Sequence, residues 1–233
     1  MIDHNQSPYW QDYFRWMEIQ RQIAHNSSIL DEIQSKIIAN KDSGLAYFFA
    51  YHLDYKRHKM QEVILQSKDP KYAFIFAQNI PNADIHSLQD IVIKSKNLTY
   101  ITKFACFVPG ADKKKIEDII LKNGTAQSAH MFIKHIDDID FPKFKKIIFK
   151  SQKPRYLFEL AKHLTSRKEI ARIEDIIIKL RSFTYIRLLA QKIKLANISK
   201  LEQAVLNTSN VKEIKKFARA VKKSKMRQLS ILF

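Results

Sequence analysis

Six cations, Lys143, Lys145, Lys146, Lys150, Lys153 and Arg155, fall within thirteen residues with no Asp or Glu among them. Lys162, Arg167 and Lys168 follow soon after. A second concentration, Lys212, Lys215, Lys216, Arg219, Lys222 and Lys223, has only Glu213 to offset it. Ammonium and guanidinium groups packed this densely repel one another unless salt or a polyanion compensates. Their characteristic chemistry is to neutralise phosphates, gaining affinity from the counterions released. The formal net charge of +18 lies entirely in this part of the chain: residues 1–142 sum to zero, and residues 143–227 carry all of it. A genome biased toward lysine would load both halves alike, so the asymmetry points to a polyanionic partner. That partner is a nucleic acid, DNA or RNA, or else an acidic protein or membrane surface.

Other reactive side chains form weaker patterns. His52, His135 and His163 share one position of an internal repeat, with His130 nearby. Zinc needs ligands converging at about 2.0–2.3 Å, whereas equivalent residues on stacked helices lie roughly 10 Å apart. Asp137, Asp138 and Asp140 form one acidic cluster that reads as a solvated loop, although a hard cation is conceivable there. Cys106 is the only cysteine and has no base beside it in sequence, so it reads as a structural thiol with no internal disulfide open to it. No Ser-His-Asp order, phosphate loop, dinucleotide fingerprint or HExxH motif is present. No catalytic residue, metal, cofactor or small-molecule substrate is therefore assigned. A helical-repeat glycosylase, which needs few catalytic groups, stays open as an alternative, but no residues mark its pocket.

The elements that must position these groups are legible as a repeat. Ala50, Ala77, Ala105, Ile133, Ala161, Ala190 and Ala218 recur every 27–29 residues. Ile33, Met60, Leu88, Ile116, Phe144, Ile173 and Leu201 recur with the same spacings in the same order. Within a unit, Leu88, Ile91 and Val92 mark the apolar face of a first helix, and Ile101, Phe104, Ala105 and Val108 that of a second. Between the two helices stand Asp42, Asp69, Asn97, Thr125, Lys153, Ser182 and Asn210, six of which are N-cap types. Pro70 and Pro154 follow at the first helical position. Three glycines in 233 residues leave few positions for turns of positive φ, which argues against hairpins and sheets. The expected fold is all-α: an α-solenoid of about seven stacked helix–turn–helix repeats, HEAT- or TPR-like, because a single 28-residue pair cannot bury its own apolar faces.

Residues 31–227 hold the repeats. Residues 1–30 read as a capping segment whose Tyr9, Trp10, Tyr13, Phe14, Trp16 and Met17 cover the first repeat or, alternatively, dock a partner. Residues 228–233 form an apolar tail, and the whole is expected to be one structural domain. The units run as Ile64-Leu65-Gln66-Ser67-Lys68-Asp69 continuing to Tyr72, Phe76 and Ala77, repeated in Ser95, Asn97, Tyr100, Phe104 and Ala105. The fourth unit departs, with Ser128 and Ile133 in place of Tyr and Ala. Over residues 31–227 this pattern resembles the short helical repeats of phage, giant-virus and bacterial proteins. The resemblance implies the stacked fold and no common activity.

On this framework Lys94, Lys122, Lys150 and Lys179 occupy one repeat position, a ladder able to track phosphates. Asp90, Asp118 and Asp175 precede three of them by four residues, the spacing of ordinary i, i+4 pairs. Arg187 and Tyr185 could add stacking on bases, although a Tyr at the repeat position of Tyr100 and Tyr156 is otherwise a core residue. No run approaches the roughly 18 apolar residues of a membrane span. The first six residues have neither the charge nor the apolar stretch of a signal peptide. An intracellular, cytoplasmic setting is expected. Two functions remain: a nonenzymatic scaffold whose residues 143–227 grip nucleic-acid phosphates, or a protein adaptor, an assembly subunit or effector, relying on Trp10, Trp16 and Phe233.

Overall fold

The computed structural model describes residues 8–25, 29–53 and 56–221, with side chains from residue 11 to 23 in the first stretch. Every regular element among the described residues is an α-helix. They form two compact units, Met1–Ile120 and Leu121–Phe233.

The first unit contains α1 (Pro8–His25), α2 (Leu30–Ala39), α3 (Ser43–Leu53), α4 (Arg57–Ser67), α5 (Pro70–Asn79), α6 (Ile85–Lys94) and α7 (Leu98–Phe107). The unit boundary falls inside α8 (Lys113–Asn123). Helices α1, α3, α5 and α7 touch in sequence to make one row, and α2, α4 and α6 make a second row against it. The repeated alanines Ala50, Ala77 and Ala105 are buried, so neighbouring second helices approach where side chains are smallest. Helices α1 and α3 approach closely at Gly44, where an added Cβ would lie 2.5 Å from the Asp12 carboxyl carbon of α1. Asp12 accepts a hydrogen bond from the Tyr72 hydroxyl, Arg15 pairs with Asp42, and Trp16 is fully buried edge-on to Phe49. Tyr13 packs on Phe48, while Phe14 stays exposed. Tyr9 and Trp10 have side chains outside the described set.

The second unit follows the same plan. Helices α9 (Ala126–His135), α11 (Pro154–Ala161), α13 (Phe183–Lys192) and α15 (Val211–Ala220) form one row. Helices α10 (Phe141–Ser151), α12 (Arg167–Lys179) and α14 (Ile198–Leu206) pack against it. Helices α3, α5, α7, α13 and α15 begin one residue after Asp42, Asp69, Asn97, Ser182 and Asn210, as the caps predict. Four of these five make the side-chain bond, for example Asn97 accepting from Thr99 and Tyr100. Ser182 makes none, although it occupies the position. In the divergent fourth unit, Thr125 and Ser128 instead form a reciprocal capping box.

Two local devices were not anticipated. The residue just before the cap adopts positive φ in six units, at Lys41, Lys68, Lys96, Gln152, Arg181 and Ser209. Scarce glycine therefore did not mean scarce left-handed turns, because the helix pair needs that conformation whatever side chain it carries. The recurrent Ser two residues before the cap supports it. Ser67, Ser95, Ser151 and Thr208 each donate back to the helix carbonyl three residues earlier and accept the N–H of the cap residue.

The second device is a polar column one residue after the apolar one: Gln34, Gln61, Gln89, Glu117, Lys145, Glu174 and Glu202, buried except at Gln61 and Lys145, which are half-buried. The Oε1 atoms of Gln61, Gln89 and Glu174 accept the backbone N–H of Asp84, Asp112 and Asn197, at 2.8, 2.8 and 2.7 Å. Each of those residues is the one at which the next unit's first helix starts. An N–H that helix geometry leaves unpaired is thus satisfied by the preceding unit. Some ion pairs also run between units. Asp90 pairs with Lys115 at 2.9 Å and Asp175 with Lys200 at 2.7 Å, replacing the expected i, i+4 pairs with Lys94 and Lys179.

Candidate polyanion-binding faces

Residues 121–233 contain 26 Lys and Arg against nine Asp and Glu, a balance of +17, while residues 1–120 stand at +1. The fold divides the predicted cations of the second unit between its two helix rows. Lys143, Lys145, Lys146 and Lys150 ride on α10, in the row of first helices. Arg155 and Lys162 belong to α11 and its C-cap, Arg187 to α13, and Lys212, Lys215, Lys216 and Arg219 to α15, all in the other row. Lys153 is the N-cap residue of α11, at the turn between the rows. Lys222 and Lys223 lie outside the described residues.

On α10, Phe144, Ile148 and Phe149 are buried. Lys143, Lys146 and Lys150, at i, i+3 and i+7, are exposed on the opposite side of the helix. On α15, Phe217 and Ala218 are buried, and Lys212, Lys216 and Arg219, at i, i+4 and i+7, are exposed opposite them. Each helix therefore carries a stripe of three cations turned away from the core.

Several predicted residues are already occupied within the fold. Lys145 stands half-buried in the polar column and pairs with Glu169 of α12, an acid that is distant in sequence. Arg187 pairs with Glu213 at 3.9 Å, Lys143 with Asp140 at 2.7 Å, Lys162 with Glu159 at 2.8 Å and Lys216 with Glu213 at 2.7 Å. Among the described residues, Lys146, Lys150, Lys153, Arg155, Lys212 and Arg219 are exposed and make no ion pair. Arg155 lies 5.8 Å from the ring of Tyr156, a cation–π contact that leaves its charge uncompensated.

Tyr185 is not a free platform for bases. It packs on Phe158 of the preceding unit with ring centroids 6.0 Å apart. The same seam recurs as Tyr47–Tyr72, Phe74–Tyr100 and His130–Tyr156, and Arg187–Glu213 replaces the ring pair at the last junction. Asp137 and Asp138 are exposed in the loop before α10, and Asp140 at its end caps that helix by accepting the N–H of Lys143. Sequence reasoning passed over Arg172, which shares the repeat position of Lys143. It is exposed, lies 4.4 Å from the Phe149 ring, and extends the α10 stripe onto α12.

The remaining reactive groups offer little chemistry. Burial pushes the Cys106 thiol up to about 11, away from the thiolate. His52 stacks on Trp16 at 5.4 Å, and burial lowers its pKa. Burial likewise lowers His130, against the pull of Glu159. No three His, Cys, Asp or Glu side chains among the described residues are placed to hold a metal ion. No helix among them is long and apolar enough to cross a membrane. Compared with known proteins, the chain matches no family model, no curated protein and no solved structure.

Proposed function

We propose that the protein is a nonenzymatic binding scaffold, a seven-repeat α-solenoid whose basic second unit holds nucleic acid by its phosphates. The observation that carries this reading is the uncompensated charge of that unit. Its internal acids pair with some of its cations, yet Lys146, Lys150, Lys153, Arg155, Lys212 and Arg219 stay exposed and unpaired. Charge held this way raises the free energy of the folded protein by self-repulsion, and a polyanion relieves it. Stacked helix pairs present similar surface at a regular interval, which suits a regular polymer.

Fluorescence anisotropy with labelled single-stranded and duplex DNA and RNA, at about 50 and 200 mM salt, tests the reading. Three to six phosphate contacts on duplex DNA predict a roughly forty- to thousandfold loss of affinity across that range. Lys146→Glu with Lys150→Glu, and Lys216→Glu, should weaken binding. Absence of binding at 50 mM salt would sink the proposal and leave an adaptor for an acidic protein surface in its place.

A further inference from the structure

We infer that the second unit carries two separate duplex-binding faces and bridges two nucleic-acid duplexes; this rests on the phosphate-binding reading above. The stripes on α10 and α15 belong to different rows, and each lies opposite the face its helix buries. Two packed rows bury their facing sides, so cations outside one row point away from cations outside the other. With helix axes about 8–10 Å apart and helices about 10–12 Å thick, the outer surfaces lie on the order of 20 Å from each other. A duplex with a persistence length of about 150 base pairs does not fold around so small a body. A ligand of that stiffness meets one stripe at a time.

The surface also selects duplex over single strand. Single-strand binders stack successive bases on exposed aromatic rings. The strongly exposed aromatics among the described residues are Phe14, Tyr51 and Phe107, all in the first unit. In the second unit, Tyr156, Phe158 and Tyr185 are spent in the seams between repeats. No strongly exposed aromatic ring is left among the second unit's described residues, while its exposed cations outnumber its exposed acids. Each stripe of three cations spans eight residues of helix, about 10 Å from first to last, and so faces about three phosphates at 3.4 Å per strand. Lys143 and Lys216 keep an internal acid partner, while Lys146, Lys150, Lys212 and Arg219 have none among the described residues.

The experiment uses the full chain and two duplexes, one biotinylated and immobilised, the other fluorescent. Low salt should let the protein retain the fluorescent duplex on the support, and excess protein should release it by occupying each duplex separately. Sedimentation velocity should find one chain with two duplexes. Lys146→Glu/Lys150→Glu and, separately, Lys212→Glu/Arg219→Glu should each cut bridging tenfold or more. Each should still bind one duplex, with the salt dependence that wild type shows per duplex, and circular dichroism melts should fall no lower than wild type. Tight binding of a single duplex per chain, or bridging by a chain dimer with one duplex each, overturns the inference while leaving the phosphate reading intact. Loss of all binding in one variant and none in the other does the same. Absence of binding to either duplex overturns both.

Discussion

Left-handed backbone recurs at the non-glycine residue before the cap in six repeats, and it is costly. An L-residue in that conformation crowds its Cβ against the carbonyl, whereas glycine does not. Lys96 and Gln152 are exposed and carry φ of 57° and 49°. Lys96→Gly and Gln152→Gly should each stabilise the protein by about 0.5–1 kcal/mol, the strain relieved less glycine's greater entropy when unfolded. Urea midpoints should rise, and a fall in either would show that the turn imposes no strain. His130 makes a second prediction. It fills an aromatic seam position beside Tyr156, its Nδ1 is buried without a partner, and burial lowers its pKa. The groups around it are Glu159, Lys134, His163 and Arg155. As pH falls through about 6.5, the unfolded chain binds this proton before the folded one does. Stability should therefore decline from pH 7 toward pH 5. His130→Phe keeps a ring against Tyr156 and should flatten that decline in thermal melts. An unchanged slope would assign it to other groups.

Between residues and the whole stand the junctions that hold one helix pair to the next. Glu174 is fully buried, accepts the Asn197 N–H, and lies 3.2 Å from Arg167 and 3.7 Å from Lys200. Glu174→Leu leaves that N–H without its acceptor and Arg167 without its partner, while Lys200 keeps Asp175, and should cost about 1–3 kcal/mol, as leaving a buried donor unsatisfied does. Glu174→Gln should cost much less, since Gln61 and Gln89 make the same bond with an amide oxygen. Chemical denaturation of the two variants separates these outcomes, and equal losses would show that charge, not the cap bond, matters at this position. The helix pairs themselves were legible in the sequence, because apolar periodicity and cap chemistry marked the same boundaries. The polar column was not. Gln61, Gln89 and Glu174 look like surface residues until the next unit's first N–H arrives beside them. The candidate site was legible as a sum of charge and as a helical phase, for Lys143, Lys146 and Lys150 already share one side. Its division between rows was hidden, since charge counting carries no direction. So were the acids that claim Lys145 and Arg187, which come from helices distant in sequence.

At the scale of the molecule, two units built on one plan differ in electrostatics, +17 in residues 121–233 against +1 in residues 1–120. Their apolar interiors are alike in kind, with the same columns of Phe, Ile and Ala at the same repeat positions. Hydrophobic stabilisation should therefore be comparable, while like-charge repulsion opposes folding in the second unit alone. Salt discriminates between these terms. Raising ionic strength from about 10 mM to 0.1 M shortens the screening length from about 30 to 10 Å, below much of the spacing among exposed charges. Repulsion within the second unit should weaken, whereas the exposed ion pairs that salt also screens contribute little individually. Amide hydrogen exchange by mass spectrometry reads the two units separately in the intact chain. Peptides from α10 to α15 should exchange more slowly at the higher salt, and peptides from α3 to α7 should change little. Inorganic phosphate at equal ionic strength should protect the second unit further if anions are drawn to its cations. Equal responses in both units would mean that the charge is spread too thinly to repel. It would also remove the physical reason for this unit to seek a polyanion.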